Sequence, residues 1–399
     1  MLDRDHCLAL DAEDPLREFR DEFVLPEGVV YLVGNSLGAL PRRTPERVRQ
    51  AVEQEWGRQL VGGWNHAGWY EQPLTLGDRL APLIGAGPGQ VVVGNTTSIA
   101  IFQAVAAALR LRPDRRVIVS DVTNFPTDHY IVQGLARALG GGHEIRDVAE
   151  GRFDDAAVVL LSEVDYRTSE RRDVPAITSQ VQDAGALMIW DVCHSVGALQ
   201  VDVSAADFAV GCTYKYLNAG PGAPAFLYVN PRHHQTAENV LSGWHGHAEP
   251  FAFERDFRPA EGIRRFAVST PHVLSFAALD AALDVWERVP MDRLRAKSMA
   301  LTSLFVDLVG DAAELASPRD AEWRGSQVSL RHPDGYPVMR ALIDRGVQGD
   351  FRAPDILRFG FAPLYTRYVD VYDAAATLIK VLEKELWRDE RYAQRLTVT

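Results

Sequence analysis

Six short apolar segments of this chain alternate with longer stretches in which apolar residues recur at helical spacing. The strand candidates are residues 90–93, 116–120, 156–162, 186–191, 208–212 and 225–228. The helical stretches between them include residues 98–111, 127–139 and 177–184. Strands that are nearly continuous apolar runs are typical of a parallel sheet covered by helices on both faces. The pattern therefore predicts an α/β protein whose large domain is built on a mainly parallel sheet.

A chain of 399 residues is longer than a domain with a single compact core usually is. A long helical pattern over residues 273–288 predicts a helix that connects the large domain to a C-terminal domain. Beyond it, a strand candidate at 325–330 and helical stretches at 337–345 and 372–387 indicate a smaller α+β domain. We expect an N-terminal segment (1–44) that packs on the small domain, a large domain (45–280) and a small C-terminal domain (281–399).

The overall charge argues against one large class of partners. The formal net charge is −12 and no basic stripe is evident, whereas proteins that bind nucleic acid carry one. The three cysteines, Cys7, Cys193 and Cys212, fit neither a disulfide framework nor a zinc site. No apolar run approaches the ~18 residues that cross a bilayer, and the first residues are too acidic for a signal peptide. We expect a cytoplasmic protein that acts on a small molecule.

Lys215 stands between two tyrosines, just before a glycine-rich turn, in the segment GCTYKYLNAGPG. Asp191 ends the apolar run ALMIWD. This pair is typical of enzymes that hold pyridoxal 5'-phosphate (PLP), in which a lysine amine joins the aldehyde and a carboxylate keeps the pyridine nitrogen protonated. Because the amine must reach its neutral form, we expect partial desolvation and nearby cationic or hydrogen-bonding groups to lower its pKa from about 10.4. The structural alternative is a lysine in water and an ordinary strand-end aspartate.

Three further segments carry side chains suited to the same cofactor. Thr96 and Thr97 follow a strand candidate and open a helical stretch, and a helix N-terminus binds phosphate without a basic side chain. Phe125 is placed to lie on the pyridine ring, with Asp128 near the ring substituents. Helix capping is the alternative for both segments. His194 follows Asp191 on the turn that leaves the same strand, at the edge where α/β proteins bind ligands.

Four histidines in loop-like sequence invite a metal-binding interpretation. They are His233, His234, His245 and His247. No third ligand follows at the spacing of a metal site, so we expect no metal. We expect them to be loop histidines, two of them beside a functional tryptophan, Trp244.

Several long and unusual segments resemble the kynureninase family over nearly the whole chain, and especially its bacterial members. They are YLVGNSLGALP (31–41), NFPTDHY (124–130), WDVCHSVGA (190–198), GCTYKYLNAGPG (211–222), LSGWHGH (241–247), STP (269–271) and RFGFAPLYTRYVDVYDA (358–374). The resemblance implies fold type I of the PLP-dependent enzymes, the fold of aspartate aminotransferase. It also implies a cytoplasmic homodimer with shared active sites.

The activity that the resemblance implies is hydrolysis of the Cβ–Cγ bond of L-kynurenine, or of 3-hydroxykynurenine, in tryptophan catabolism and NAD biosynthesis. The products are anthranilate, or its 3-hydroxy form, and L-alanine. Lys215 and Tyr214 match the catalytic positions. The implied cofactor contacts are Thr96, Thr97, Phe125, Asp128, Ser162, Asp191, His194, Tyr214, Lys215, Trp244 and Thr270, with Trp244 and Thr270 supplied by the partner subunit. The implied substrate contacts are Arg358 at the carboxylate, and Ser36, Trp64 and Ser269 near the aromatic end.

The chain departs from the family pattern after the strand candidate at 156–162. The family usually reads close to SHVNYRTG, whereas this chain has Glu163, Asp165 and Ser169 within SEVDYRTS. The departure places extra charge near the expected cofactor position, where it bears on substrate preference. Two other functions stay open: another fold type I lyase, such as a cysteine desulfurase, and a binding module that has lost catalysis. A desulfurase needs a cysteine on a C-terminal loop, and no cysteine follows Cys212.

Overall fold

The computed structural model describes residues 3–396. Its α-helices are α1 (Arg4–Glu13), α2 (Thr44–Gln50), α3 (Gly63–His66), α4 (Gln72–Leu80), α5 (Thr97–Leu111), α6 (Pro126–Leu139), α7 (Val174–Asp183), α8 (Val273–Trp286), α9 (Met291–Val309), α10 (Gly335–Ile343) and α11 (Tyr368–Glu383). Its strands are β1 (Phe23–Val24), β2 (Val30–Tyr31), β3 (Leu40–Pro41), β4 (Val91–Gly94), β5 (Val117–Ser120), β6 (Glu144–Asp147), β7 (Ala156–Ser162), β8 (Leu187–Asp191), β9 (Phe208–Cys212), β10 (Ala225–Val229), β11 (Glu314–Leu315), β12 (Gln327–Arg331), β13 (Val347–Gln348), β14 (Asp350–Arg352) and β15 (Ile356–Gly360).

Seven strands form the central sheet, in the order β4-β10-β9-β8-β7-β5-β6. Strand β10 runs antiparallel to both of its neighbours, and the remaining pairs are parallel. The mainly parallel sheet is therefore confirmed, and the six predicted strands all form. The sequence missed β6, because this edge strand reads Glu-Ile-Arg-Asp and is only partly buried, so it lacks an apolar run.

Helices cover both faces of this sheet. Along β8, Leu187 and Ile189 join the hydrophobic cluster that contains α5 and α6, whereas Met188 and Trp190 join the cluster on the opposite face with α4, α7 and α8. All residues of β7, β8 and β9 are buried. Since both faces must be apolar, polar side chains in this part of the chain are confined to the strand ends.

The smaller unit is built on the antiparallel sheet β11-β12-β15-β14, with α9, α10 and α11 in its hydrophobic cluster. Helix α1 packs against α11: Asp11 accepts hydrogen bonds from the backbone of Tyr368 and Val369, at 2.7 and 3.1 Å. Helix α11 begins at Tyr368 rather than at the predicted 372, because Asp370 caps its first turn through the backbone of Arg367. Among the described residues, no helix is both long and apolar enough to cross a membrane.

The carboxyl ends of the parallel strands converge on one edge of the central sheet. Strands β7 and β8 end there at Ser162 and Asp191, which are paired in register. The hairpin β14–β15 of the smaller unit carries Arg352 and Arg358, and both line the same cavity as these strand ends. This edge is therefore the place where side chains from distant parts of the chain meet.

A glycine at the contact between α4 and β4 tests this packing. A Cβ atom on Gly77 would overlap the backbone carbonyl of Val91, so Gly77→Ala is expected to destabilise the fold by about 1–3 kcal/mol. Gly134, also inside a helix, has open space at its Cβ position, and Gly134→Ala is the matched control, expected to stabilise by about 0.5–1 kcal/mol. Urea unfolding of both variants measures the difference, and equal stability of the two would contradict this account.

Candidate active site

A cavity of about 360 Å³ lies at the convergent strand ends. Most of the site residues expected from the sequence line it. These are Ser36, Thr96, Thr97, Phe125, Asp128, Ser162, Asp191, His194, Tyr214, Lys215 and Arg358. The structure thus brings together side chains from β7, β8, the segments after β4, β5 and β9, the N-terminal segment and the hairpin β14–β15.

The amine of Lys215 points at His194, with 2.9 Å between Nζ and Nε2. Burial lowers the pKa of Lys215, but Cys212, Cys193 and Asp191 raise it, and the net pKa lies above its ordinary value. The predicted lowering of this pKa is therefore wrong in its net direction. Desolvation lowers this pKa as the sequence predicts, but the fold also surrounds the amine with a carboxylate and two thiols, which raise it.

Two neighbours of Lys215 have pKa values that fix their protonation. Burial lowers the pKa of His194 well below its usual range, and the positive charge of Lys215 lowers it further. The imidazole is thus neutral at neutral pH and accepts a hydrogen bond from the Lys215 ammonium. Burial, followed by Cys212 and Cys193, raises the pKa of Tyr214, so its phenol stays protonated. The Tyr214 ring centroid lies 5.8 Å from Nζ of Lys215.

A chain of hydrogen bonds connects the two carboxylates at the floor of the cavity. Asp191 accepts a hydrogen bond from the backbone N–H of Cys193 at 2.8 Å. Oγ of Ser162 lies 3.2 Å from Asp191 Oδ2 and 2.9 Å from Asn124 Oδ1, and Asn124 donates to Asp128 at 2.8 Å. Burial, and next the charge of Asp191, raises the pKa of Asp128 well above its usual value. The Asp128 carboxyl group therefore favours its protonated form.

Helix α5 begins at the wall of the cavity, beside Cys193. Thr96 is its N-cap residue, and its hydroxyl accepts a long hydrogen bond from the backbone of Ile99 at 3.5 Å. The capping interpretation is thus confirmed. It does not exclude an anion site, because Thr96, Thr97 and Ser98 at the start of the helix line the cavity and a cap leaves other N–H groups of the first turn unpaired. The Thr97 hydroxyl lies 3.8 Å from Sγ of Cys193. Asp128, in contrast, bonds Asn124 rather than capping α6.

Arg358 is held in place by a buried carboxylate that the sequence did not single out. Asp350 faces Arg358 across the hairpin and accepts from its Nε at 2.6 Å and from Nη2. Arg358 also donates to the carbonyl of Tyr166 at 2.6 Å and to Ser36 Oγ at 3.0 Å. Burial raises the pKa of Asp350, but Arg358 and Arg352 outweigh burial and lower it below the usual range.

Sequence reasoning missed seven cavity residues and the carboxylate behind the arginines. Three of the seven, Asn35, Ser98 and Thr127, are direct chain neighbours of predicted site residues. Asn124, Tyr166, Cys193 and Arg352 line the cavity, and Asp350 lies behind its arginines. The sequence contains a pattern from which Arg352 and Asp350 could have been predicted. Asp350, Arg352 and Arg358 lie at alternate positions of two short strands joined by a Pro-containing turn, which is the pattern of a hairpin with charged groups on one face.

Four expected site residues do not line this cavity within one chain. Ser269 and Thr270 line a separate, small cavity with His245. Trp64 and Trp244 contact each other edge to face, with 5.7 Å between ring centroids. Both tryptophans belong to an aromatic cluster that is completed by Trp69, Tyr70, His245 and Phe251.

The charged departures from the family pattern lie outside the cavity lining. Glu163 is buried and pairs with Arg171, with 3.3 Å between the charged atoms. Asp165 caps its own turn by accepting hydrogen bonds from the backbone of Arg167 and Thr168, at 3.0 and 2.6 Å. Ser169 has a left-handed backbone, with φ of 64°, where the family usually has glycine. Arg171 therefore balances the charge of Glu163, and backbone N–H groups of the same loop bind the carboxylate of Asp165.

The loop histidines have structural partners. His245 bonds the carbonyls of Tyr70 and Ser269, at 2.8 and 3.3 Å, and His233 bonds Asp207 at 2.6 Å. His234 bonds the carbonyl of Val229 at 2.8 Å. Within residues 3–396, the structure shows no group of three or more His, Cys, Asp or Glu that would hold a metal ion.

The residues present fit PLP. A lysine amine and a hydrogen-bonded carboxylate line the same cavity, Lys215 and Asp191, and a helix N-terminus with two threonines lies at its edge. A cysteine desulfurase from Thermococcus onnurineus NA1 has the same fold, with a TM-score of 0.77 at 19% identity over 92% of this chain and 98% of that one. A C-DES variant with glycine covalently linked to its PLP cofactor gives a TM-score of 0.74 at 18% identity over 91% and 98%. Fold and site together define a fold type I PLP-dependent enzyme.

Full-length relatives identify the family. A kynureninase from Burkholderia pseudomallei (strain 1106a) is 50% identical over 416 residues, covering 100% of both chains. A kynureninase from Pseudomonas fluorescens is 46% identical with the same coverage. Residues 294–378 match the family model of the kynureninase C-terminal domain. The chain belongs to the kynureninase family.

The paired carboxyl groups predict a pH-dependent stability. The folded chain keeps the Asp128 proton to a higher pH than the unfolded chain, in which aspartate has a pKa of about 3.9. Between the two pKa values the folded state binds more protons, so stability falls as pH rises. Asp128→Asn removes this loss of stability, because its side-chain amide does not ionise. The cofactor-free variant is expected to unfold at a higher temperature than the wild type at neutral pH, with the difference shrinking towards about pH 4.

Thermal unfolding at a series of pH values measures this effect. The exposed Asp114 supplies the matched control, since Asp114→Asn changes the same atoms far from the cavity. A variant at Asp128 that is less stable than the wild type at every pH would show that its carboxylate is ionised in the folded chain.

Proposed function

We propose that this protein hydrolyses the Cβ–Cγ bond of L-kynurenine, or of its 3-hydroxy form, to L-alanine and anthranilate or 3-hydroxyanthranilate. The observation that carries the proposal is the position of Lys215, Asp191 and Arg358 around one cavity, in a chain half identical to full-length kynureninases. The protein is a PLP-dependent hydrolase of a carbon–carbon bond. Its place is in tryptophan catabolism, and we propose the cytoplasm as its location.

The cofactor would be held by both walls of the cavity. Lys215 would bind its aldehyde and Asp191 its pyridine nitrogen, with Ser162, Asp128 and His194 supporting these two groups. Phe125 would lie on the ring: it is 47% exposed and is packed edge to face on Tyr166, with 5.4 Å between centroids. Thr96, Thr97 and the N-terminus of α5 would receive the phosphate. Bound PLP supplies the electron sink that stabilises a carbanion next to the amino group.

The protein groups then supply the proton transfers. In its neutral form, Lys215 is the base that removes the proton from Cα, and His194, which is neutral, can accept a hydrogen bond from the resulting ammonium. Water adds its oxygen to the γ-carbonyl carbon, and the Cβ–Cγ bond breaks with its electron pair left on Cβ. Of the two protons of the water, one balances the proton that Cβ gains and the other is released as the carboxylate of anthranilate forms. Tyr214, whose raised pKa keeps it protonated, is the donor that we propose for the proton that Cβ gains. Arg358 would bind the substrate carboxylate, with Ser36, Trp64 and Ser269 near the aromatic end.

A desulfurase activity is disfavoured by the position of the thiols. Its chemistry requires a reactive cysteine that reaches the substrate from a mobile loop. Cys7 is fully buried in the core of the smaller unit, and Cys212 is buried at the end of β9. Cys193 lines the cavity but is 5% exposed and belongs to the turn that follows Asp191. None of the three lies on a loop of the C-terminal part of the chain.

We also propose that two chains share each active site. Large apolar side chains are exposed in and beside the aromatic cluster, as expected for a surface that a second copy covers. They include Trp56 (58% exposed), Leu60 (61%), Val61 (80%), Phe251 (67%) and Phe253 (84%). Trp244 and Thr270 lie outside the cavity of their own chain, which supports their assignment to the cofactor phosphate of the partner.

The division into residues 1–44, 45–280 and 281–399 is likewise our proposal. Separate hydrophobic clusters support two units, two clusters on the faces of the central sheet and one in the smaller unit. One cluster of the central sheet extends past residue 280, through the end of α8 to Leu294. The N-terminal segment contributes to both units: Cys7 and Leu32 pack in the smaller one, and Leu16 and Phe23 pack in the larger one.

The proposed reaction is tested by turnover. Purified enzyme with PLP is expected to convert kynurenine to equal amounts of anthranilate, read by its fluorescence, and alanine. Lys215→Ala should abolish this turnover and the visible absorbance of the lysine-bound cofactor, because no other side chain in the cavity offers the amine. Lys380→Ala, at an exposed position of α11, is the matched control and should behave as the wild type. Wild-type turnover by Lys215→Ala would refute the assignment.

Shared sites predict complementation between two impaired variants. Lys215→Ala and Trp244→Ala, or Thr270→Val in place of the latter, are mixed under conditions of subunit exchange. Half of the dimers are then mixed, and one of their two sites has both wild-type halves, so roughly a quarter of the wild-type activity should return. If proven exchange restores none, Trp244 and Thr270 act within their own chain or not at the site.

A further inference from the structure

Two arginines from one hairpin line the cavity and share a single carboxylate. Arg352 ends β14, and Arg358 lies at the centre of β15. Asp350 lies directly opposite Arg358 in the hairpin register. Its Oδ2 accepts from Nη2 of Arg358 and lies 3.2 Å from Nη2 of Arg352. One carboxylate thus balances two guanidinium groups, and this wall of the cavity keeps one excess positive charge.

The donors of Arg358 are almost fully committed. A guanidinium has five N–H groups. Asp350 takes one from Nε and one from Nη2, Ser36 takes the second of Nη2, and the carbonyl of Tyr166 takes one from Nη1. Among the described residues, one N–H of Arg358 is left without an acceptor. Arg358 is also 1% exposed, so by itself it offers a ligand one donor rather than the two parallel donors that a carboxylate fits best.

Arg352 is the less committed and more accessible of the two. Its side chain is 33% exposed and reaches the cavity. Its Nη1 donates to the carbonyl of Phe351 at 2.9 Å, and its Nη2 donates to Ser36 Oγ at 3.4 Å, which is a long hydrogen bond. Ser36 Oγ therefore lies between the two arginines and marks the point at which both can reach one ligand atom. Ser36 is itself tied to Asp350 by a hydrogen bond.

We propose that Arg352 is a second substrate-binding arginine, which completes with Arg358 the site for the α-carboxylate of an amino-acid substrate. The inference rests on the proposed function, since it assumes an amino acid in the cavity. Arg358, fixed by Asp350, supplies one donor, and Arg352 supplies the others and the unbalanced charge. Asp350 is a positioning residue: it orients both guanidinium groups and does not touch the ligand.

The test uses two unreactive ligands that differ at one group. The first is kynurenine without its α-amino group, which keeps the carboxylate. The second is the primary amide of the same acid, which has no charge. Calorimetry measures the binding of each to the PLP-loaded enzyme. The variants are Arg352→Gln and Arg352→Lys, and the control is Arg319→Gln, at an exposed position of the same unit.

We expect Arg352→Gln to weaken binding of the carboxylate by about ten- to a hundredfold, the range for a lost charged hydrogen bond, and to leave binding of the amide unchanged. Arg352→Lys should recover part of the loss, because it keeps the charge without the planar fork. With kynurenine, KM should rise more than kcat falls. Arg319→Gln should match the wild type in every measurement.

Three results would overturn the inference. One is an unchanged preference for the carboxylate in Arg352→Gln. Another is an equal loss for both ligands, which would assign Arg352 to the structure of the cavity. The third is a wild-type enzyme without any preference for the carboxylate. Failure of the proposed function has a different signature, because the wild type would then release no anthranilate from kynurenine, whatever its affinity for the two ligands.

Discussion

The site depends on one constraint: the strands at the centre of the main sheet are buried on both faces. Along β7, β8 and β9, apolar side chains must alternate between two helical layers, so charged and hydroxyl groups are accommodated only where the strands end. The parallel register then places Ser162 beside Asp191. Distant segments meet at this edge because parallel strands end on the same side, which is where open α/β sheets bind their ligands.

The two units that form the cavity contribute charged groups of different kinds to it. The larger unit contributes the carboxyl pair Asp128 and Asp191, together with Lys215, while the hairpin of the smaller unit contributes two arginines and Asp350. An α-amino acid carries its own positive and negative groups, so it is complementary to a cavity with this division. The neutral state of His194 follows first from its burial and then from the same crowding of charge, since a second cation beside Lys215 is disfavoured.

The exposed aromatic and aliphatic side chains are the surface on which the proposed dimer depends. Trp64 and Trp244 pack on each other within the chain, yet the surface around them is apolar and open. A symmetric contact between two copies would cover this surface and carry both tryptophans towards the neighbouring cavity, because a twofold interface uses the same patch on each chain. The dimer that we propose would therefore complete the active site as it forms.

The sequence by itself determined the fold class and the chemical centre of this protein. The alternating apolar segments predicted six of the seven strands of the central sheet, and Lys215 with Asp191 predicted the cofactor, because both patterns are local and their physical causes act along the chain. Only the tertiary structure decided that Asp350 holds Arg358, that Arg352 shares the cavity, and that acidic neighbours raise the pKa of Lys215. These outcomes depend on distances between groups from different segments, and electrostatic and hydrogen-bond energies change steeply with such distances.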